Sequence, residues 1–172
     1  MSASNHDIAE MLRQMGEFLA MQDIPFKPRA YQKAAGIVAE FDDDIAARYK
    51  KNGTKGLMQI EGIGAGIAGK IEEFITTGRV KELEGFKKKT PVDLSELSKV
   101  EGLGPKSVKT LYQKLGITNL KQLEAAAKGG AIAKLAGFGK KSEEKILANI
   151  GFAKTSGARL ALGAALPVAR AL

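Results

Sequence analysis

Three glycine turns of one form divide the chain after residue 54 and constrain its fold more than any other feature. Each turn has an apolar residue, a variable residue, Gly, an apolar residue and Gly: IEGIG at 60–64, VEGLG at 100–104 and LAGFG at 135–139. A segment with helical periodicity follows each turn. Recurrence of one unit indicates an internal repeat of short helices joined by tight turns.

The sequence of the turns predicts that they expose backbone N–H groups to a ligand. The glycines let the chain turn with positive φ and leave no Cβ in the way, and the apolar residue between them is predicted to enter the core. The unpaired N–H groups at the start of the next helix, with the positive end of its dipole, then suit a phosphate oxygen. Candidate phosphate-binding residues are Gly62, Gly64, Gly66, Gly102, Gly104, Gly137 and Gly139, with Lys106, Lys109, Lys140 and Lys141 beside the later turns.

A Gly-x-Gly sequence can also serve only as a tight turn between helices. Two other phosphate-binding motifs are excluded, because the dinucleotide fingerprint needs a preceding strand and GFGKKS at 137–142 lacks the spacing of a Walker loop. Three copies on a basic background favour phosphate binding over the turn alone.

The charge is distributed unevenly along the chain. Residues 1–49 contain 5 Lys/Arg and 8 Asp/Glu, whereas residues 50–172 contain 22 and 11. A basic segment of this kind favours a polyanionic partner. Aromatic residues make up 6% of the chain and tryptophan is absent, which favours duplex backbone over stacked single-stranded bases.

Other classes of protein are disfavoured by composition. The chain has no cysteine, so neither a disulfide framework nor a thiolate metal site is expected. It has no long apolar run and no secretory signal, so we expect a cytoplasmic protein that does not enter a membrane.

Helical periodicity predicts an all-α fold. A first helix is predicted over 6–20 with Ser4 and Asp7 in capping-box spacing, a second from Pro28, a short third from Asp42 to Tyr49, and a new start at Thr90 and Pro91. The repeat predicts a short helix before each glycine turn and a longer one after it. We predict a first domain over 1–88, a second over 89–153 and a helical tail over 154–172.

Four segments together resemble the N-terminal region of a bacterial-type family X DNA polymerase. They are PFKPRAYQKAA at 25–35, IEGIGAGIAGKIEEFITTGRVKEL at 60–83, LSKVEGLGPKSVKTLYQKLGITNLKQLE at 97–124, and the third turn with LALGAALPVA at 160–169. The resemblance covers nearly the whole chain. It implies a lyase-like helical domain with one helix-hairpin-helix motif, followed by a tandem helix-hairpin-helix domain.

The resemblance implies a candidate nucleophile. Lys70, in AGKI, occupies the position of the lysine that forms a Schiff base in family members with 5′-deoxyribose phosphate lyase activity. An amine must be neutral to attack, so burial or nearby cations are expected, with Lys27, Lys33 and Arg79 as candidates. The implied 5′-phosphate ligands are Lys27 and Tyr31, and Lys33 is a further candidate phosphate-binding residue. The chain departs from the family pattern at Gly66, Phe26 and Met58, which replace a lysine, a histidine and a lysine.

The resemblance also implies a monovalent cation, Na⁺ or K⁺, held by backbone carbonyls. By position these belong to Ser98, Val100 and Leu103 at the second turn and to Met58, Ile60 and Ile63 at the first. The Mg²⁺ of nucleotidyl transfer belongs to a palm domain outside this chain, because the only acids after residue 101 are Glu124, Glu143 and Glu144.

The expected function is therefore sequence-independent binding of gapped or nicked DNA by a monomer, as the positioning part of a repair polymerase with a possible lyase activity. The alternative is a free-standing, non-enzymatic helix-hairpin-helix protein that binds structured DNA or RNA.

Binding through phosphates predicts a strong salt dependence. If three to six phosphates are neutralised, log affinity plotted against log salt concentration should fall with a slope of roughly −3 to −5. Fluorescence anisotropy at several salt concentrations, with duplexes of equal length and different sequence, measures both the salt dependence and the sequence preference. A flat salt response, or strong preference for one base sequence, would contradict backbone binding.

Overall fold

The structure, a computed structural model, describes residues 2–169 of the chain, with side chains for 2–152, 154 and 155. These residues form helices and no strand, which confirms the predicted all-α fold. The helices are α1 (Asn5–Met21), α2 (Lys27–Ala39), α3 (Ile45–Met58), α4 (Ala65–Thr77), α5 (Lys81–Lys89), α6 (Leu94–Leu97), α7 (Pro105–Leu115), α8 (Leu120–Lys128) and α9 (Lys140–Ala169).

The chain divides into two compact units, Met1–Pro91 and Val92–Leu172. The first unit contains α1 to α5 with the first glycine turn, and the second contains α6 to α9 with the other two. Among the helices that the structure describes, none has the length and apolar composition needed to cross a membrane.

The first unit begins with the predicted capping box. The Ser4 Oγ accepts a hydrogen bond from the Asp7 N–H at 3.1 Å, and the Asp7 carboxylate accepts one from the Ser4 N–H at 3.0 Å. Helix α1 packs on α2. Gly16 permits this close approach, because a Cβ there would lie 3.1 Å from the Pro28 carbonyl oxygen. The core of the unit includes Ile8, Leu12, Met15, Leu57 and Ile71.

The third helix begins at Ile45, three residues later than predicted. The Asp44 side chain caps it by accepting from the N–H groups of Ala46 and Ala47 at 2.9 and 3.2 Å. The Asn5 side chain holds this start against α1, donating to the Asp43 carbonyl at 2.8 Å and accepting from the Ile45 N–H at 2.9 Å. The helix is broken at Gly53, where φ is 62° and ψ is −160°.

The predicted helix start at Thr90 and Pro91 is wrong. Thr90 ends α5, with its N–H donating to the Phe86 carbonyl at 2.9 Å. The next helix begins at Leu94 because the Asp93 carboxylate accepts from the Glu96 N–H at 3.0 Å and caps it. The core of this second unit includes Leu97, Leu111, Leu123, Ile132 and Ile150.

The short helix predicted before the third glycine turn is absent from the described residues. Helix α8 ends at Lys128, Gly130 has a φ of 73°, and residues 131–139 form turns and bends until α9 begins. The two consecutive glycines at 129 and 130 explain the difference, because glycine disfavours a further helical turn. Helix α9 covers the predicted tail as far as Ala169, and the tail's last three residues lie outside the described residues.

Candidate nucleic-acid interface

The three glycine turns share one backbone geometry. The first glycine of each has positive φ: 92° at Gly62, 88° at Gly102 and 86° at Gly137. The second glycine differs from the prediction, because Gly64 and Gly104 are extended N-cap residues with φ of −84° and −90°. Only the first position therefore requires a residue without a Cβ for conformational reasons.

A hydrogen bond closes each turn in the same way. The N–H of the residue between the glycines donates to a carbonyl three residues earlier, from Ile63 to Ile60 at 3.0 Å and from Leu103 to Val100 at 3.1 Å. The third turn has the same bond from Phe138 to Leu135 at 3.1 Å. The predicted insertion into the core is confirmed for Ile63 and Leu103, which are buried, whereas Phe138 is half-buried.

The helices after the first two turns start without a capping side chain. Helices α1, α3, α6 and α8 have side chains at the N-cap position that accept hydrogen bonds from first-turn N–H groups. These N-cap residues are Ser4, Asp44, Asp93 and Asn119. Gly64 and Gly104 supply no such acceptor to α4 and α7. A Cβ built on Gly64, Gly66 or Gly104 would meet no atom within 4 Å. The first-turn amides of α4 and α7 are therefore open to an external anion at the positive end of the helix dipole.

Basic side chains lie near each turn. The Cε of Lys33 on α2 is 3.8 Å from the position that a Cβ of Gly62 would occupy, so the fold brings Lys33 to the first turn. Lys106 and Lys109 lie in the first two turns of α7. Lys140 and Lys141 are exposed at the start of α9.

The structure places Lys27 on the surface at the first residue of α2, next to an unusual Phe26. The Phe26 ring is 88% exposed, and its backbone has φ of 65° and ψ of −43°. Positive φ is uncommon outside glycine and strained for a bulky side chain. The sequence identified Phe26 only as a departure from the family pattern and contained no signal for its conformation.

Two carboxylates lie near Lys70. Its Nζ is 2.8 Å from Glu82 Oε2 and 3.9 Å from Glu73 Oε2. The side chain of Lys70 is 25% exposed. Glu82 is on α5, so its ion pair with Lys70 joins α4 to α5. The cations expected beside the amine stay a prediction.

Glu82, the ion-pair partner of Lys70, was missed by the sequence. Burial raises the pKa of Tyr31, and the negative charge of Glu82 raises it further. Tyr31 is almost fully buried on α2, Lys70 is on α4, and Glu82 is on α5. No local pattern connects three helices in this way, so sequence spacing contained no signal for the pairing.

The carbonyl groups named for a monovalent cation lie at helix ends and in the turns. Met58 is the last residue of α3 and Ser98 follows the last residue of α6, where carbonyls lack helical donors. The Ile60 and Val100 carbonyls each accept one turn hydrogen bond and keep a second lone pair. Carbonyl oxygens are the ligand type that a hard cation takes. Across the described residues, no group of three or more His, Cys, Asp or Glu side chains could hold a metal ion.

A cavity of about 690 Å³ in the first unit lies apart from these groups. The start of α1 and the segment from Phe74 to Lys87 line it, and neither Lys70 nor a turn glycine contributes. Acidic and basic side chains are mixed along its walls, including Glu10, Arg79 and Glu84. It therefore offers no charge selectivity for phosphate and is not included in the interface.

Comparison with known families matches both units. Residues 3–80 match the family model described as a helix-hairpin-helix domain, and residues 94–150 match that of a SAM-like helix-hairpin-helix tandem. The chain is 36% identical over 165 residues, 95% of its length, to the "DNA polymerase/3'-5' exonuclease PolX" of Bacillus subtilis (strain 168). It spans 28% of that relative's length.

The fold, the turn geometry and both family matches define a helix-hairpin-helix protein. Within that class, the matches support the N-terminal region of a family X DNA polymerase. The resemblance inferred from the sequence is confirmed.

The same substitution should have different effects on stability at the two glycines of the second turn. Gly102→Ala should destabilise the fold by about 1–3 kcal/mol, because a Cβ is strained at φ of 88° although no atom blocks it. Gly104→Ala should change the free energy of unfolding by less than about 0.5 kcal/mol. Alanine is a poorer N-cap than glycine, and this loss offsets the gain from a less flexible unfolded chain. Urea unfolding measures both, and equal losses would contradict the assignment of strain to the first glycine.

Proposed function

We propose that this chain binds the phosphate backbone of DNA without reading bases, at gaps or nicks, as the N-terminal part of a family X repair polymerase. The observation that carries the proposal is the repeated turn geometry, with φ of 92°, 88° and 86° at equivalent glycines. Exposed N–H groups at helix starts bind phosphate oxygens and contact no base edge, so they contribute affinity without sequence preference.

The basic second part of the chain supports a polyanionic partner. Residues 50–172, which contain all three turns, have 22 Lys/Arg against 11 Asp/Glu. The relative named as a DNA polymerase and exonuclease supports DNA as that polyanion. We propose that the protein acts as a monomer in the cytoplasm.

The finer part of the proposal is a 5′-deoxyribose phosphate lyase activity at Lys70. Lys70 is partly buried, with 25% of its side chain exposed, and its amine lies 2.8 Å from the Glu82 carboxylate. A lysine in a partly desolvated pocket with an adjacent acid–base group is suited to Schiff-base formation with a sugar aldehyde.

One observation favours a second candidate function. The 2.8 Å ion pair between Lys70 and Glu82 can also serve only to join α4 and α5. In that case, the chain is a non-enzymatic helix-hairpin-helix protein that binds structured DNA or RNA through the same turns.

A bound Na⁺ or K⁺ is proposed at the first two turns. The carbonyls of Met58, Ile60 and Ile63, and those of Ser98, Val100 and Leu103, would supply the oxygen ligands. The cation would add positive charge next to the open amides and strengthen the attraction for phosphate.

Gapped DNA should bind more tightly than intact duplex. Each compact unit has a phosphate-binding turn, so a substrate that engages both gains affinity from the linkage, about tenfold or more. Fluorescence anisotropy should compare intact duplex, nicked duplex and a short gap with a 5′ phosphate. The matched control is the same gap with a 5′ hydroxyl, and equal affinity for all four would contradict the proposed substrate.

Lys70→Ala should separate lyase chemistry from DNA binding. The substitution removes one partly exposed charge, so DNA affinity should fall by about 1 kcal/mol or less. A borohydride-trapped adduct on DNA with a 5′-deoxyribose phosphate should disappear, because the attacking amine is lost. An adduct at wild-type yield in the Lys70→Ala variant would contradict the assignment of the nucleophile.

A further inference from the structure

Glu82 is the acidic group closest to the Lys70 amine. Its Oε2 is 2.8 Å from Lys70 Nζ, within hydrogen-bond reach, and its side chain is 42% exposed. It comes from α5, whereas Lys70 is on α4, so the pair is tertiary and not a neighbour contact along one helix.

The second carboxylate near Lys70 is engaged elsewhere. Glu73 Oε2 is 3.9 Å from the amine, and Glu73 Oε1 accepts a hydrogen bond from the Lys81 N–H at 2.8 Å. That bond holds the start of α5 against α4 and fixes the Glu73 carboxylate. Glu82 is therefore the better placed of the two to exchange a proton with a group at Nζ.

We propose that Glu82 is the proton-transferring catalytic residue of the Lys70 lyase reaction. The proposal rests on the proposed lyase function and assigns it a second residue. Lys70 supplies the covalent bond, and Glu82 supplies the base that the elimination step requires.

The proton balance gives Glu82 two tasks. It first takes a proton from the Lys70 ammonium, so that the neutral amine attacks the C1′ aldehyde of the ring-opened sugar, and it returns that proton as water leaves. A C1′–N bond has then formed and one water has been released. Glu82 is again a carboxylate.

The same carboxylate then removes a proton from C2′. The C2′–H electrons form an enamine. A C2′–C3′ double bond then forms as the C3′–O bond breaks, and the phosphate of the downstream DNA leaves with the C3′–O electron pair. One water hydrolyses the remaining unsaturated Schiff base, which releases the sugar phosphate and restores the Lys70 amine. The proton on Glu82 passes to the solvent with the products.

Geometry supports one residue in both tasks. In the Schiff base, C2′ is two covalent bonds from Nζ, so a carboxylate oxygen that starts 2.8 Å from Nζ is already close to the C2′ hydrogens. A general base must lie within about 2.6–3.2 Å of the atom it deprotonates, or reach it through one water. Because Glu82 is partly exposed, its side chain can rotate from Nζ toward C2′ without a rearrangement of the core.

The test measures bond formation and elimination separately in the full chain. The substrate is a duplex with a 5′-deoxyribose phosphate at a nick, under single-turnover conditions. Borohydride trapping reports the Schiff base, and gel separation of the shortened strand reports elimination. The variants are Glu82→Gln, which keeps the shape without the base, and Glu84→Gln, a control that removes the same charge from the same first turn of α5 without contacting Lys70.

Glu82→Gln should lower the elimination rate by about 10²-fold, in the range of general-base catalysis, while adduct still accumulates under borohydride, more slowly than in the wild type because the first proton transfer is also lost. Glu84→Gln should leave both readouts within about twofold of wild type, and Glu82→Asp should recover part of the elimination rate. Unchanged or faster elimination in Glu82→Gln would overturn the proposal and indicate an ion pair that restrains Lys70. Absence of any adduct with the wild-type chain would overturn it together with the lyase function, while DNA binding measured by anisotropy would stand independently.

Discussion

The positive φ of one glycine in each turn is the constraint on which the interface depends. At Gly62, Gly102 and Gly137 the chain reverses in a conformation that side chains with a Cβ adopt only with strain. The reversal places the next apolar residue inward and starts the following helix with its amides outward. Because core packing and amide exposure follow from one dihedral angle, the turn couples the stability of the fold to its capacity to bind anions.

The distribution of helix caps separates structural helix starts from those available to a ligand. Four helices begin with Ser, Asp or Asn side chains that satisfy their own first amides. The helices after Gly64 and Gly104 do not, although a capping side chain at either position would stabilise its helix. Under the proposed function, a phosphate of the DNA supplies the missing acceptor at these two helices.

The cluster at Lys70 has a different chemistry from the turns. The turns present fixed backbone dipoles and require no proton transfer, whereas Lys70 and Glu82 form an ion pair of ionisable side chains, and the charge of Glu82 helps to raise the pKa of Tyr31. Lys70 faces two carboxylates, those of Glu82 and Glu73, so this cluster attracts phosphate less than the turns do. Under the proposed function the turns therefore supply affinity and the cluster supplies the covalent chemistry.

The sequence alone determined the all-α fold, the capping box at Ser4, the repeated turns and the resemblance to family X polymerases, because each of these depends on local spacing or on residue identity. It misplaced the helix start at Thr90 and predicted a short helix before the third turn, since capping by Asp93 and the double glycine at 129–130 override local propensity. Only the tertiary structure decided that Glu82 lies against the Lys70 amine, because the contact joins two helices through packing that no sequence period records.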